Sequence, residues 1–200
     1  MKNIIVILFV GVLFFNTQPV KSQAIEEGNV LIDAYYGFPN LLTAALKTSY
    51  ANGTQVAGLK VGGMGPLGGR FEYMLDEKIG LGLEVNYANS YVDWNEDSLN
   101  VTYNYRVSAP RYRIMPRFNF HFSNNESLDA YFAVGAGFKS TKYKFESNNP
   151  TYNPGSVTGI IPFTFRAAIG MRYFITDNFG LGGEFGLGGV LVTFGAALKF

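Results

Sequence analysis

An eight-stranded, antiparallel, up-and-down transmembrane β-barrel is the all-β architecture to which this sequence points. Segments of roughly ten residues alternate apolar side chains with polar or small ones, the period-two pattern of a strand with two unlike faces. The connections between those segments alternate between short and long. The composition sets 24 Gly, 18 Phe and 13 Tyr beside one Trp, one His and no Cys, a balance that suits a barrel better than a helical fold.

The chain opens with Lys2 and an unbroken apolar run from Ile4 to Phe15, then a polar stretch ending Val20-Lys21-Ser22-Gln23-Ala24. A charged start, a short apolar centre and a small-residue exit predict a secretory signal peptide over residues 1–22 or 1–24. Cleavage after Ser22 and cleavage after Ala24 both fit. The run is too short for a spanning helix, which takes about 20 residues. Residues 25–200 are then one barrel domain.

The predicted strands follow in order. Asn29 to Phe38 places Val30, Ile32, Ala34, Tyr36 and Phe38 on one face and Asn29, Asp33 and Gly37 on the other. Pro66 to Leu75 sets Leu67, Phe71, Tyr73 and Leu75 against Gly68, Arg70, Glu72 and Met74. Ile79 to Asn89 sets Leu81, Leu83, Val85 and Tyr87 against Gly80, Gly82, Glu84 and Asn86. Arg111 to Phe122 is the clearest, with Tyr112, Ile114, Phe118, Phe120 and Phe122 opposing Arg111, Arg113, Arg117, Asn119 and His121. Leu128 to Lys139 and Phe163 to Phe174 repeat the pattern with Asp129, Tyr131, Lys139, Arg166 and Arg172 on the polar face. Phe179 to Gly188 sets Leu181, Phe185 and Leu187 against glycines and Glu184. In the eighth, Val190 to Phe200, the even positions Val190, Val192, Phe194, Ala196, Leu198 and Phe200 share the apolar face.

The polar faces carry too many charges to be the water side of a soluble sandwich, so the apolar faces are read as facing lipid. A secreted barrel of lipocalin type requires the reverse assignment. Asp76-Glu77-Lys78, Ser123 to Ser127 and Thr176-Asp177-Asn178 are short polar turns. Pro39 to Gly65, Ser90 to Pro110 and Ser140 to Pro162 are long connections. Short turns at one end and long loops at the other are the mark of an outer-membrane barrel, with the turns periplasmic. The alternation changes phase at Ala109-Pro110, where a bulge tolerates proline. Outward Tyr73, Phe120, Phe122, Tyr173, Phe179 and Phe200 gather near the short turns. Tyr36, Phe38, Tyr87, Phe138 and Phe163 gather at the other end, forming two aromatic girdles around an apolar band.

On these features the whole mature chain resembles the small eight-stranded outer-membrane barrels, the group containing the OmpA membrane domain, OmpX and OmpW-like proteins. Gly195, Leu198 and Phe200 resemble the C-terminal signal read by the barrel-assembly machinery, from which Phe194 departs because that position is usually polar. The resemblance implies an integral protein of the outer membrane of a Gram-negative bacterium, in contact with outer-membrane lipid and lipopolysaccharide. It carries fold and compartment rather than activity.

The lumen holds the residues most open to a functional reading. Arg70, Glu84, Arg117 and Glu184 fall at one height above the short turns, with Glu72 and Arg166 near it, and are expected to form an ion-pair network. An eight-stranded barrel is only wide enough for side chains to fill. No catalytic site, cofactor or metal site is expected: His121 stands alone, and there is no cysteine. Gly63-Met64-Gly65-Pro66-Leu67-Gly68 matches the dinucleotide fingerprint in form only, because it precedes a strand instead of opening a helix. Leu41 to Leu46 is a helix-like patch placed to cover the mouth or touch the lipid surface. Tyr91, Trp94, Tyr103, Tyr143 and Tyr152 are candidate contacts for an extracellular ligand, or belong to strands that run beyond the membrane. A net charge of +1 gives no field for nucleic acid. The expected role is structural or interactive, with a narrow porin-like channel for small solutes or ions as the alternative.

Overall fold

A computed structural model of the chain describes residues 23–51, 57–98, 101–159 and 161–200. The predicted signal peptide, residues 1–22, lies outside the described residues. Period-two burial runs through every wall strand, and the elements are β1 (Val30–Phe38), α1 (Leu41–Ala51), β2 (Lys60–Asp76), β3 (Ile79–Ser98), β4 (Val101–Ser108), β5 (Arg111–Asn124), β6 (Leu128–Ser147), β7 (Gly155–Thr158), β8 (Phe163–Phe174), β9 (Phe179–Leu187) and β10 (Val192–Lys199).

Antiparallel pairing runs β1–β2–β3–β5–β6–β8–β9–β10, and β10 returns to β1 with Ile32 opposite Leu198 and Tyr36 opposite Phe194. The chain is therefore an eight-stranded up-and-down barrel, and closure leaves the wall without a free edge. Its outer face is apolar. Ile32, Phe71, Leu83, Ile114, Phe132, Ile169, Leu181 and Phe194, one from each wall strand, are all at least 40% exposed. In water such a surface is a liability, whereas in a bilayer it is the requirement. Aromatic pairs mark both ends of the band: Phe122–Phe132 near the short turns, and Tyr87–Tyr112 and Phe138–Phe163 at the loop end.

Several features differ from the sequence reading. β2, β3 and β6 extend well beyond their predicted ends, and β4 and β7 occupy much of the expected loops. Above the band, β3 pairs with β4, β4 with β6, and β6 with β7, so a sheet rises from one side of the wall. The apolar patch after β1 forms a helix of 11 residues, longer than predicted. Asn40 caps it, its Oδ1 accepting from the Thr43 N–H, while Thr43 Oγ1 donates to Ser90 Oγ and ties the start of the helix to β3 at the rim. The last strand starts at Val192, and Val190 is buried rather than lipid-facing. The β9–β10 connection turns through Gly188 at φ +82°, a left-handed conformation that favours glycine, and this folds Val190 inward. The phase change at Ala109-Pro110 is the break between β4 and β5, where the Ala109 N–H donates to the Ser90 carbonyl.

Candidate functional site

Side chains of unequal length fill the lumen because long charged residues face glycine across the strands. Arg117 stands between Gly82 and Gly135, Arg166 opposite Gly135, and Arg172 opposite Gly182. A methyl group on Gly170 would meet the Tyr131 ring. The inward glycines therefore give the arginines room to reach across the barrel.

The upper tier joins Arg70, Glu84, Arg117, Arg166 and Glu184. Arg117 donates to Glu84 through Nη1 and to Glu184 through Nη2, tying β3 to β9 through a guanidinium on β5. Glu184 also takes Arg70 Nη2 at 3.0 Å, Arg166 Nη2 at 3.0 Å and the Tyr131 hydroxyl at 3.0 Å. Tyr35 donates its hydroxyl to Glu84, and Arg70 lies over the Tyr35 ring at 4.0 Å. Arg70 Nη2 donates further to Thr193 Oγ1, and Arg166 Nη1 to the Val190 carbonyl.

Glu72 belongs to a different, lower tier. Arg172 Nη2 donates to Glu72 Oε2 at 2.7 Å and Asp33 Oδ2 at 2.9 Å, while Nη1 donates to Asp129 Oδ2 at 3.0 Å. His121 lies between two carboxylates, Nδ1 at 2.6 Å from Asp129 and Nε2 at 2.9 Å from Glu72. Only the doubly protonated imidazole offers a donor on each nitrogen. With it, the two tiers balance five carboxylates against four guanidiniums and one imidazolium. Each of these side chains is less than a tenth exposed. At such burial, charge-assisted pairing is what makes ionised groups tolerable. Arg70 Nη1, 3.9 Å from Asp33, links the tiers.

Below the lower tier, Ala24, Ile25, Leu31, Met74 and Phe174 form an apolar seal at the short-turn end. The segment before β1 supplies two of the five seal residues and is tied down by its backbone: the Ala24 N–H donates to Asn125 O, and Lys199 Nζ donates to Ala24 O. The lumen thus reads, from the short turns upward, as an apolar seal and two ionic tiers.

Of the six network residues named from sequence, the structure brings Arg70, Glu84, Arg117, Arg166 and Glu184 into one cluster and places Glu72 beside Arg172. Asp33, His121, Asp129 and Arg172 were legible as inward residues, but nothing in the sequence joined them. Gly195, Leu198 and Phe200 lie on and just past β10, with the backbone of Phe200 paired to Val30 in both directions at 2.9 Å.

The aromatic candidates sit on the raised sheet. Trp94 stacks on Tyr105 at 5.5 Å and 12°, and Tyr152 meets Tyr105 edge-on. On the other face, Lys60, Asp93, Arg106 and Glu146 stand side by side across β2, β3, β4 and β6 in alternating charge. Arg106 donates to both oxygens of Asp93, at 2.6 and 2.7 Å, which raises its guanidinium above the ordinary range. These residues line an open groove of about 540 Å³.

A family model described as the outer membrane protein beta-barrel domain matches residues 7–193. The chain belongs to that family. As an outer-membrane β-barrel it resides in the outer membrane, with its apolar face in lipid. A search of curated proteins finds no relative of this sequence. Among solved structures it is similar to the N-terminal β-barrel domain of OprF from Pseudomonas aeruginosa, at 18% identity and TM-score 0.43, over 88% of this chain and 100% of that one. It is also similar to Ail, the attachment invasion locus protein of Yersinia pestis, at 15% identity and TM-score 0.43, over 87% and 99%. A third is the outer membrane protein OprG from P. aeruginosa, at 15% identity and TM-score 0.41, over 88% and 97%.

Proposed function

We propose that this outer-membrane barrel is a closed anchor whose work is done by the sheet it raises above the outer surface. The observation that carries this reading is Arg117, which bridges Glu84 and Glu184 across the middle of the lumen with every partner buried. A conducting path would have to break that bridge and the Arg172 cluster beneath it. Breaking a buried pair leaves an uncompensated charge, at a cost of about 3–5 kcal/mol. The raised sheet offers two unlike surfaces, the Trp94–Tyr105–Tyr152 aromatic cluster and the charged groove around Arg106, and exposed aromatics beside polar groups suit recognition. In this reading lipopolysaccharide surrounds the wall, the barrel-assembly machinery reads Gly195, Leu198 and Phe200 during insertion, and no catalytic step is assigned.

Planar-bilayer recording of the purified protein tests the closed lumen. The expected record is a flat baseline at both polarities. Steady single-channel steps that persist when Glu84 and Glu184 are substituted would sink the anchor reading in favour of a narrow channel.

A further inference from the structure

Above the upper tier, the inward face of the wall changes character. Arg111 and Arg113 on β5 and Lys139 on β6 all point into the outer mouth, and Arg113 and Lys139 are direct cross-strand partners. Like charges placed opposite one another on one face of a ladder repel, since their Cβ atoms are about 5 Å apart. All 15 Asp and Glu residues of the chain lie among the described residues. None of them forms an ion pair with Arg111, Arg113 or Lys139.

The three cations are only half-buried, and their neighbours leave donors unused. Arg111 Nη2 donates to Asn40 Oδ1 at 2.6 Å, while its Nε is buried with no acceptor among the described residues. The Arg113 guanidinium lies against the Gly188-Gly189 turn, where a methyl group on Gly189 would strike it, and Arg166 is close by. Beneath them the network is neutral in itself, so the charge of the mouth is not cancelled from below. A cleft lined by one sign of charge and walled by low-dielectric material concentrates its field.

We infer that the outer mouth is an oxyanion site, formed by Arg111, Arg113 and Lys139, that takes a small phosphate- or sulfate-class ligand. Arginine forks suit the tetrahedral oxygens of such a group, and the lysine adds a point charge opposite. The ligand stops there, because the Arg166–Glu184 pair fills the lumen below. The phosphate arrives either as a free solute from outside or on a lipid headgroup tucked over the rim.

The test uses the full-length protein folded in a neutral detergent at low ionic strength. Inorganic phosphate is titrated by calorimetry, and the unfolding midpoint is followed in phosphate and in chloride at equal ionic strength. The expected result is saturable binding and a higher midpoint in phosphate. In the double variant Arg113→Gln, Lys139→Gln, binding should weaken by about tenfold or more, as loss of charge-assisted hydrogen bonds implies. That variant should unfold no more easily than the parent in chloride, because it also loses the repulsion. A control variant, Lys142→Gln with Lys144→Gln on the outer face of the sheet, should bind as the parent does.

Micelles doped with lipid A separate the two sources. A midpoint that rises with lipid A and not with inorganic phosphate, and only with Arg113 and Lys139 present, assigns the site to a headgroup. The inference is overturned by absence of saturable binding of both probes at millimolar concentration. Equal binding in the double variant, or equal loss in the control, overturns it as well.

Discussion

Arg172 on β8 and Asp33 on β1 meet inside the barrel, Nη2 to Oδ2 at 2.9 Å, although β9 and β10 lie between their strands in the wall. The contact spans the lumen, and Arg172 holds Glu72 and Asp129 with its other donors. Arg172→Ala should therefore leave Asp33 with only the distant Arg70, and Glu72 and Asp129 with only His121, and lower the unfolding free energy by about 3–5 kcal/mol. Urea unfolding in lipid vesicles, read by the loss of heat-modifiable gel migration, measures this. A change below about 1 kcal/mol would mean that water enters and screens the cluster.

The exposed pair Arg106–Asp93 has shorter contacts than the Arg172 cluster, yet its effect on stability should be smaller. Its side chains are 50% and 23% exposed, and such pairs contribute about 0–1 kcal/mol. Asp93→Asn should leave unfolding nearly unchanged, whereas Glu184→Gln, which weakens the hold on Arg70, Arg117 and Arg166 together, should lower it by several-fold more. Equal effects in the same assay would show that burial does not govern these pairs.

These two clusters also show how far the sequence can be read. Period-two alternation identified the inward faces of Arg70, Glu84, Arg117, Arg166 and Glu184, because lipid on one side enforces strict contrast. It assigned Asp33, Asp129 and Arg172 to the same side without connecting them, since the stagger of tilted strands decides height and no local pattern records it. Where β3 and β4 leave the membrane, residues such as Asn95, Glu96, Tyr103 and Arg106 are polar or amphipathic on both faces. The contrast disappears there, and the strands read as loops. Val190 is buried and not lipid-facing because the left-handed Gly188 turn breaks the alternation before Val192.

The mature chain should begin at Gln23. Ala24 is buried and hydrogen-bonded through both its N–H and its carbonyl, so cleavage after it would remove part of the seal. Intact-mass measurement of protein extracted from membranes distinguishes Gln23 from Ile25 as the first residue. Ile25→Ala, which opens the same seal, should cost about 2–5 kcal/mol.

Phe200 is 66% exposed, and its stabilising contacts are backbone hydrogen bonds to Val30 that any residue can make. Phe200→Ala should therefore deplete the protein from membranes several-fold while leaving the detergent-refolded barrel within about 1 kcal/mol of the parent. Normal membrane levels would show that the terminal aromatic is not read during insertion. A large loss in the refolded protein would assign it a packing role instead.

β3 and β6 each run for 20 residues, about twice the 9–11 that cross a bilayer. The surplus is hydrogen-bonded ladder, so the paired ends at Ser98 and Val101 are carried on a stiff mast rooted in the wall, roughly 30 Å of strand above the girdle at 3.3 Å per residue. A pull or push at the tip travels down the ladders into the barrel rather than being absorbed by a hinge. A partner docking on this sheet, as proposed above, would meet a lever of fixed length and bearing.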